Sequence, residues 1–194
     1  SGLSKADIKT KEVFLNKFIL NGFPTRRLEN WKFSDLGQII QKNIGELSFY
    51  NDYSIKNKID SSTFINGFEH NKIIFINGKV EKIDFAHEDD NQIEINENRV
   101  SEIRFENENS LIDLNSALAD KSYKISIKKN YSLKKPLVVY HTTKNLIKNK
   151  NINIRLEFQL EENSSLRLID FSNDISEKNF INIIYNFHLG KNAI

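Results

Sequence analysis

Phe158-Gln159-Leu160-Glu161-Glu162-Asn163-Ser164-Ser165-Leu166 aligns with Phe187-His188-Leu189-Gly190-Lys191-Asn192-Ala193-Ile194 at a separation of 29 residues. A third copy, Ile125-Ser126-Ile127-Lys128-Lys129-Asn130-Tyr131-Ser132-Leu133, stands 33 residues before the first of these, and Ile93-Glu94-Ile95-Asn96-Glu97-Asn98-Arg99-Val100 is a weaker fourth. Each copy has two apolar residues at alternate positions, then, in the three stronger copies, an Asn at a fixed offset and a further apolar residue. Asn tolerates left-handed backbone geometry, which a repeated corner requires. Between successive corners there is room for two strands, Leu166 to Phe171 going out and Phe180 to Leu189 coming back, joined by the polar stretch Ser172 to Lys178. Stacked units of this kind predict a β-solenoid with one continuous core. A β-sandwich with similar corners is the alternative. Parallel pairing at an offset near 29 to 33 marks the first, and antiparallel neighbours mark the second.

The alternation itself is clear. Ile152, Ile154, Leu156, Phe158 and Leu160 interleave with Asn153, Arg155, Glu157 and Gln159, and Ile181, Ile183, Tyr185, Phe187 and Leu189 repeat the pattern, so both runs read as half-buried strands. Earlier, Ile73-Ile74-Phe75-Ile76, then Asn77-Gly78, then Lys79-Val80-Glu81 spell a hairpin with a type I′ turn. Helical spacing is confined to the start. Ser4 with Asp7 forms a cap, Phe14, Leu15, Phe18 and Ile19 share a face, and Gly22 and Pro24 stop the helix. A second short helix is expected from Asp35 to Ile40, capped by Ser34.

Composition narrows the function classes. The 194 residues include 14 Phe and 6 Tyr, with 28 basic against 26 acidic side chains, enough for a sizeable core under a charged surface. A net charge of +2, evenly spread, does not suit nucleic acid. No apolar run reaches membrane-spanning length and no signal region opens the chain, so a cytoplasmic protein is expected. Cys is absent, which removes disulfides, thiolate nucleophiles and thiolate ligation of a metal or cluster. Met is absent too, and Ser1-Gly2 reads as a processing remnant.

The stretch Gly22-Phe23-Pro24-Thr25-Arg26-Arg27-Leu28-Glu29-Asn30-Trp31-Lys32-Phe33-Ser34-Asp35-Leu36 closely resembles the motif near the start of the SufD family. Phe75-Ile76-Asn77-Gly78, Leu114-Asn115-Ser116-Ala117-Leu118-Ala119-Asp120, Lys135-Pro136-Leu137 and Leu160-Glu161-Glu162-Asn163-Ser164 resemble later family segments in the same order. Leu28 and Asn30 depart from acidic residues and Phe33 from a Tyr. The resemblance implies a mainly β protein, a right-handed parallel β-helix preceded by a small α-helical region. It divides the chain into a helical N-terminal region over 1–47, a linking segment with the hairpin over 48–110, and a β-helix that begins at 111 and is cut short at 194. It further implies a non-enzymatic scaffold component of iron–sulfur cluster assembly, with SufB-like and SufC-like partners for the full-length member. A homo-oligomer through the open last rung is a further expectation; nucleic acid and membrane are not expected partners.

No catalytic, cofactor or metal residue carries over. Arg26, Arg27, Glu29, Trp31 and Asp35 are the motif residues, expected to be structural, with Trp31 filling a gap and the charges pairing or capping around it. His70, His87, His141 and His188 show no ligand spacing, and Glu88-Asp89-Asp90 lacks the spaced oxygen donors of a calcium loop. A carbohydrate-active β-helix enzyme is the competing function. It requires grouped carboxylates, and the outward positions Asn153, Arg155, Glu157 and Gln159 with Asn182, Ile184, Asn186 and His188 hold no stacked pair.

Overall fold

The computed structural model of the chain describes residues 4–49, 64–99, 109–143, 147–174 and 178–194. Ser1-Gly2, Val100 of the fourth copy, residues 175–177 of the polar connection and most of 48–71 lie outside the described residues. Helix α1 (Lys5–Asn21) starts in a reciprocal capping box: Ser4 Oγ accepts from the Asp7 N–H at 3.1 Å and the Asp7 carboxylate accepts from the Ser4 N–H at 3.1 Å. Gly22, at φ 67°, ends it. Phe18 is buried and Phe14 and Leu15 half-buried, but Ile19 is 68% exposed. One residue is about 100° of helix rotation, which carries Ile19 off the face that Phe18 buries. Helix α2 (Leu36–Asn43) is capped by Asp35 rather than Ser34, the carboxylate accepting from the Gln38 N–H at 3.0 Å.

Among the described residues eight strands form two sheets: β1 (Asn71–Ile76), β2 (Lys79–Asp84), β3 (Ile93–Arg99), β4 (Lys121–Ile127), β5 (Leu137–Thr143), β6 (Asn151–Leu160), β7 (Leu168–Asp174) and β8 (Phe180–Leu189). One sheet has the order β2-β1-β5-β7 and the other β3-β4-β6-β8. Their inner faces meet in one core, where Ile73, Phe75, Leu137 and Val139 pack with Ile125, Ile127 and the row Ile152, Ile154, Leu156, Phe158, Leu160. Helix α3 (Ser110–Leu118) lies between α1 and the β6–β8 pair. Among the described residues no helix is long and apolar enough to cross a membrane.

The expected right-handed parallel β-helix is not the architecture. Both sheets are mixed: β1 with β2 and β3 with β4 are antiparallel, while β1–β5, β5–β7, β4–β6 and β6–β8 are parallel. A solenoid demands parallel strands throughout, so the fold is a two-sheet mixed α/β arrangement, with three α-helices among the described residues. The chain reverses at Asn77 and Gly78, whose φ angles of 51° and 80° form the hairpin turn, and again between β3 and β4. The segment 48–110, expected as a linking α/β segment with the hairpin, supplies β1, β2 and β3 to these sheets. What the repeat encodes is local register: Ile125 pairs with Phe158 and Phe158 with Phe187. Asn130, Asn163 and Asn192 all have positive φ, and their side chains bond in a file, Asn163 Nδ2 donating to Asn130 Oδ1 at 2.8 Å and Asn192 Nδ2 to Asn163 Oδ1 at 3.0 Å.

Candidate functional site

The polar side of β6 was expected to face solvent, and it does not. Asn109 caps α3 by accepting from the Leu111 N–H at 2.9 Å, and the helix turns Asn115 and Ser116 onto β6. Asn115 Nδ2 donates to the Ile154 carbonyl at 3.1 Å and the Asn182 carbonyl at 2.9 Å, tying α3 to two neighbouring strands. Asn182 Nδ2 answers by donating to the Leu111 carbonyl at 2.8 Å. Arg155, only 1% exposed, donates from Nε to Asn115 Oδ1 at 3.1 Å and from Nη2 to Ser116 Oγ at 2.8 Å. Burial lowers the Arg155 pKa to about 10, so the guanidinium still carries its charge near neutrality. Lys11 of α1 closes the other end of α3, donating to the carbonyls of Ala117 at 3.3 Å and Ala119 at 2.5 Å, and burial depresses its pKa as well.

Beside this web lies a cavity of about 380 Å³. The β4–β6 ladder begins only at the Tyr123–Leu156 pair, so among the described residues no named strand pairs with 152–155 on that side, and the cavity lies beside them. Its apolar wall is Phe75, Val80, Ile152 and Ile154, roofed by the β1–β2 turn. The roof sits close: a Cβ on Gly78 would lie 2.4 Å from Ile152 Cγ2. The polar wall is Asn153, Arg155, Asp120, Tyr123, Lys79 and Lys121. Lys121 pairs with Glu97 at 2.6 Å, and burial followed by the Glu97 charge pushes the Tyr123 hydroxyl up to about 12, which keeps it protonated and able to donate.

A second polar cluster runs from the buried His141 to the exposed Asp170 at the β7–β8 end. His141 Nε2 lies 2.8 Å from Tyr185 Oη, which also bonds Asp170, and the His141 ring stacks on Phe75 with centroids 5.3 Å apart. An ionised Asp170 only accepts, so the Tyr185 proton points to it and the His141 Nε2–H donates to Tyr185. Burial lowers the His141 pKa against the opposing pull of Asp170, and burial with Asp170 raises that of Tyr185.

The motif residues of the N-terminal stretch divide between an open groove and the start of α2. Arg27, Glu29 and Trp31 line it together with Asn109, Ser110 and Asp113 at the start of α3. Trp31 is half-buried there, Glu29 pairs with Lys32 at 2.9 Å, Asp35 caps α2, and Arg26 is exposed beside Asp35. Of the histidines, His70 is buried and bonded on both ring nitrogens, to the Phe68 carbonyl at 2.9 Å and Tyr140 Oη at 2.6 Å. Glu88 proves to be a staple: its carboxylate accepts from Asn71 Nδ2 at 2.6 Å, Tyr131 Oη at 2.8 Å and the N–H groups of Lys134 at 2.9 Å and Lys135 at 3.1 Å. Burial pushes its pKa up, but those bonds together outweigh burial and leave it lowered. Asp89 pairs with Lys134. No group of three or more His, Asp and Glu among the described residues is placed to hold a metal ion.

Reading the sequence alone missed Asn115, Ser116, Asn153, Arg155 and the Asp170–Tyr185–His141 cluster. Compared with known proteins, the chain matches no family model, and no curated protein matches it.

Proposed function

We propose that the chain is a non-enzymatic scaffold component of iron–sulfur cluster assembly, acting in the cytoplasm within a SufBCD-type complex. The observation that supports a docking role is the outer edge of β8. This strand runs for ten residues, pairs with β6 along its full length, and stands at the edge of its sheet among the described residues. Phe187 is 45% and Leu189 60% exposed on it. A long edge strand with unburied apolar side chains invites a neighbour, because its free N–H and C=O groups can pair at once with another strand. The choice of neighbour rests on the resemblance of residues 22–36, which favours a SufB-like protein at this edge and a SufC-like ATPase for the full-length member.

The test is size-exclusion chromatography with light scattering, on the chain alone and mixed with SufB-like and SufC-like proteins. Co-elution with the SufB-like protein, lost when Phe187 and Leu189 are both replaced by Lys, is the expected result. A chain that stays monomeric at high concentration and co-elutes with neither partner overturns the proposal. Self-association through the same edge would replace the SufB-like partner with a second copy.

A further inference from the structure

Asn-Gly occurs three times in the chain, at Asn21-Gly22, Asn66-Gly67 and Asn77-Gly78. Asn is a thermolabile side chain, and a following Gly has no Cβ to shield its backbone nitrogen from the Asn amide. The two react wherever the backbone can rotate to bring them together, and the fold obstructs this at two of the three places. Asn77 is 3% exposed, its N–H donates to the Thr142 carbonyl at 2.9 Å, and Gly78 is wedged against Ile152 in the hairpin turn. At the end of α1 the attacking nitrogen is occupied, the Gly22 N–H donating to the Phe18 carbonyl at 2.7 Å.

Asn66 and Gly67 are under no such restraint. Both are exposed, neither the Gly67 N–H nor the Asn66 amide has a hydrogen-bond partner among the described residues, and the space around Gly67 is open. The residues on either side are anchored to one hydroxyl. Phe64 packs on Tyr140 with ring centroids 4.9 Å apart, and the Ile65 N–H donates to Tyr140 Oη at 3.1 Å. His70 Nδ1 donates to the Phe68 carbonyl, so in the neutral ring Nε2 accepts from Tyr140 Oη at 2.6 Å. Residues 65–70 thus form a ring closed through Tyr140, lying over the apolar cluster of Ile74, Ile76, Val138 and Tyr140.

We propose that Asn66 is a site of spontaneous deamidation, through which the loop over Tyr140 is loosened as the protein ages. The Gly67 nitrogen gives its proton to solvent base and attacks Asn66 Cγ; the new C–N bond closes a succinimide as ammonia leaves. Water then opens the succinimide at either carbonyl and leaves Asp or isoaspartate at 66, with nothing oxidised or reduced. Isoaspartate routes the main chain through Cβ and Cγ, so one more backbone atom stands between the anchors Ile65 and His70. Both products add a negative charge close to Glu69 in the chain.

The test is storage of the full chain, folded and in parallel in concentrated urea, followed by trypsin digestion and fragmentation mass spectrometry. Trypsin places the three dipeptides in separate peptides, 18–26, 59–72 and 73–79. In the folded chain Asn66 is expected to deamidate at least about tenfold faster than Asn21 or Asn77, because a protected site reacts only through local opening, and in urea the three rates should agree within about threefold. By NMR, hydrogen exchange at the Ile65 amide is expected to quicken at least about threefold once isoaspartate has accumulated. Asn66→Gln, stored alongside, should keep its original exchange rate there. Equal rates at Asn66 and Asn77 in the folded chain, a difference that persists in urea, Ile65 exchange that the modification leaves unchanged, or the same quickening in Asn66→Gln would each overturn the proposal.

Discussion

Replacing Asn115 by Leu tests the web that pins α3 to the sheet. The two side chains are similar in size, so the substitution opens no large cavity and its cost comes from bonds alone. Three are lost: two amide bonds to the Ile154 and Asn182 carbonyls and one from the Arg155 guanidinium. Each neutral bond contributes about 1 kcal/mol and a bond to a charged group about 1.5–3 kcal/mol. The buried Arg155 Nε is left without its acceptor, which places the total near 4 kcal/mol, a large share of the roughly 5–15 kcal/mol that holds an average domain together. Urea unfolding followed by far-UV circular dichroism and by the fluorescence of Trp31, the chain's one Trp, measures it. Because Trp31 lines the groove at the start of α3, its signal also reports whether the helix leaves the sheet first. A loss below about 1 kcal/mol would refute the reasoning, since three bonds of the stated geometry could not then be formed in solution.

Gly78→Ala should destabilise the fold by about 3 kcal/mol in thermal melts, since positive φ strains any L side chain and the new Cβ meets Ile152 Cγ2. A change under about 0.5 kcal/mol would contradict the close approach of the hairpin to β6. His141 sets a pH dependence: its folded pKa is depressed below the ordinary 6.5, so the unfolded chain takes up the proton first. Stability from this group is therefore full above pH 6.5 and falls as pH drops below it, by up to about 1.4 kcal/mol per pH unit. His141→Gln should flatten that part of the denaturation profile, and an unchanged slope would count against it. Glu88 acts at lower pH. Its folded pKa lies below 4.5, so its contribution holds above that value and is lost as pH falls through the folded pKa; Glu88→Gln should remove this acid limb and cost about 2 kcal/mol at pH 7 by urea titration.

How far the fold could be read before its structure was known depends on what each signal encodes. The Asn corners state which strands lie side by side, and the pairing of Ile125 with Phe158 and of Phe158 with Phe187 follows them. They say nothing of how the first half of the chain joins those strands. The antiparallel partners β2 and β3 come from outside the clear repeats, and they turn an expected β-helix into two mixed sheets. Alternation identified the core side of β6 correctly, but it labels the other side only as not core. That Arg155 and Asn153 are covered there depends on α3, whose Asn115 and Ser116 face inward and so invert the usual helical pattern. The motif around Trp31 was visible as a motif, and Arg27, Glu29 and Trp31 line one groove while Arg26 and Asp35 lie together beside α2; the cavity at the β4–β6 gap has no local signature, because residues from β1, β2, β4 and β6 meet there only after folding.

The docking claim is tested most directly by amide hydrogen exchange across Phe180–Leu189, measured with and without a SufB-like protein. Slowed exchange confined to β8 when the partner is added is the outcome the account requires. Exchange along β8 that the partner leaves unaltered, with protection appearing elsewhere or nowhere, would contradict it.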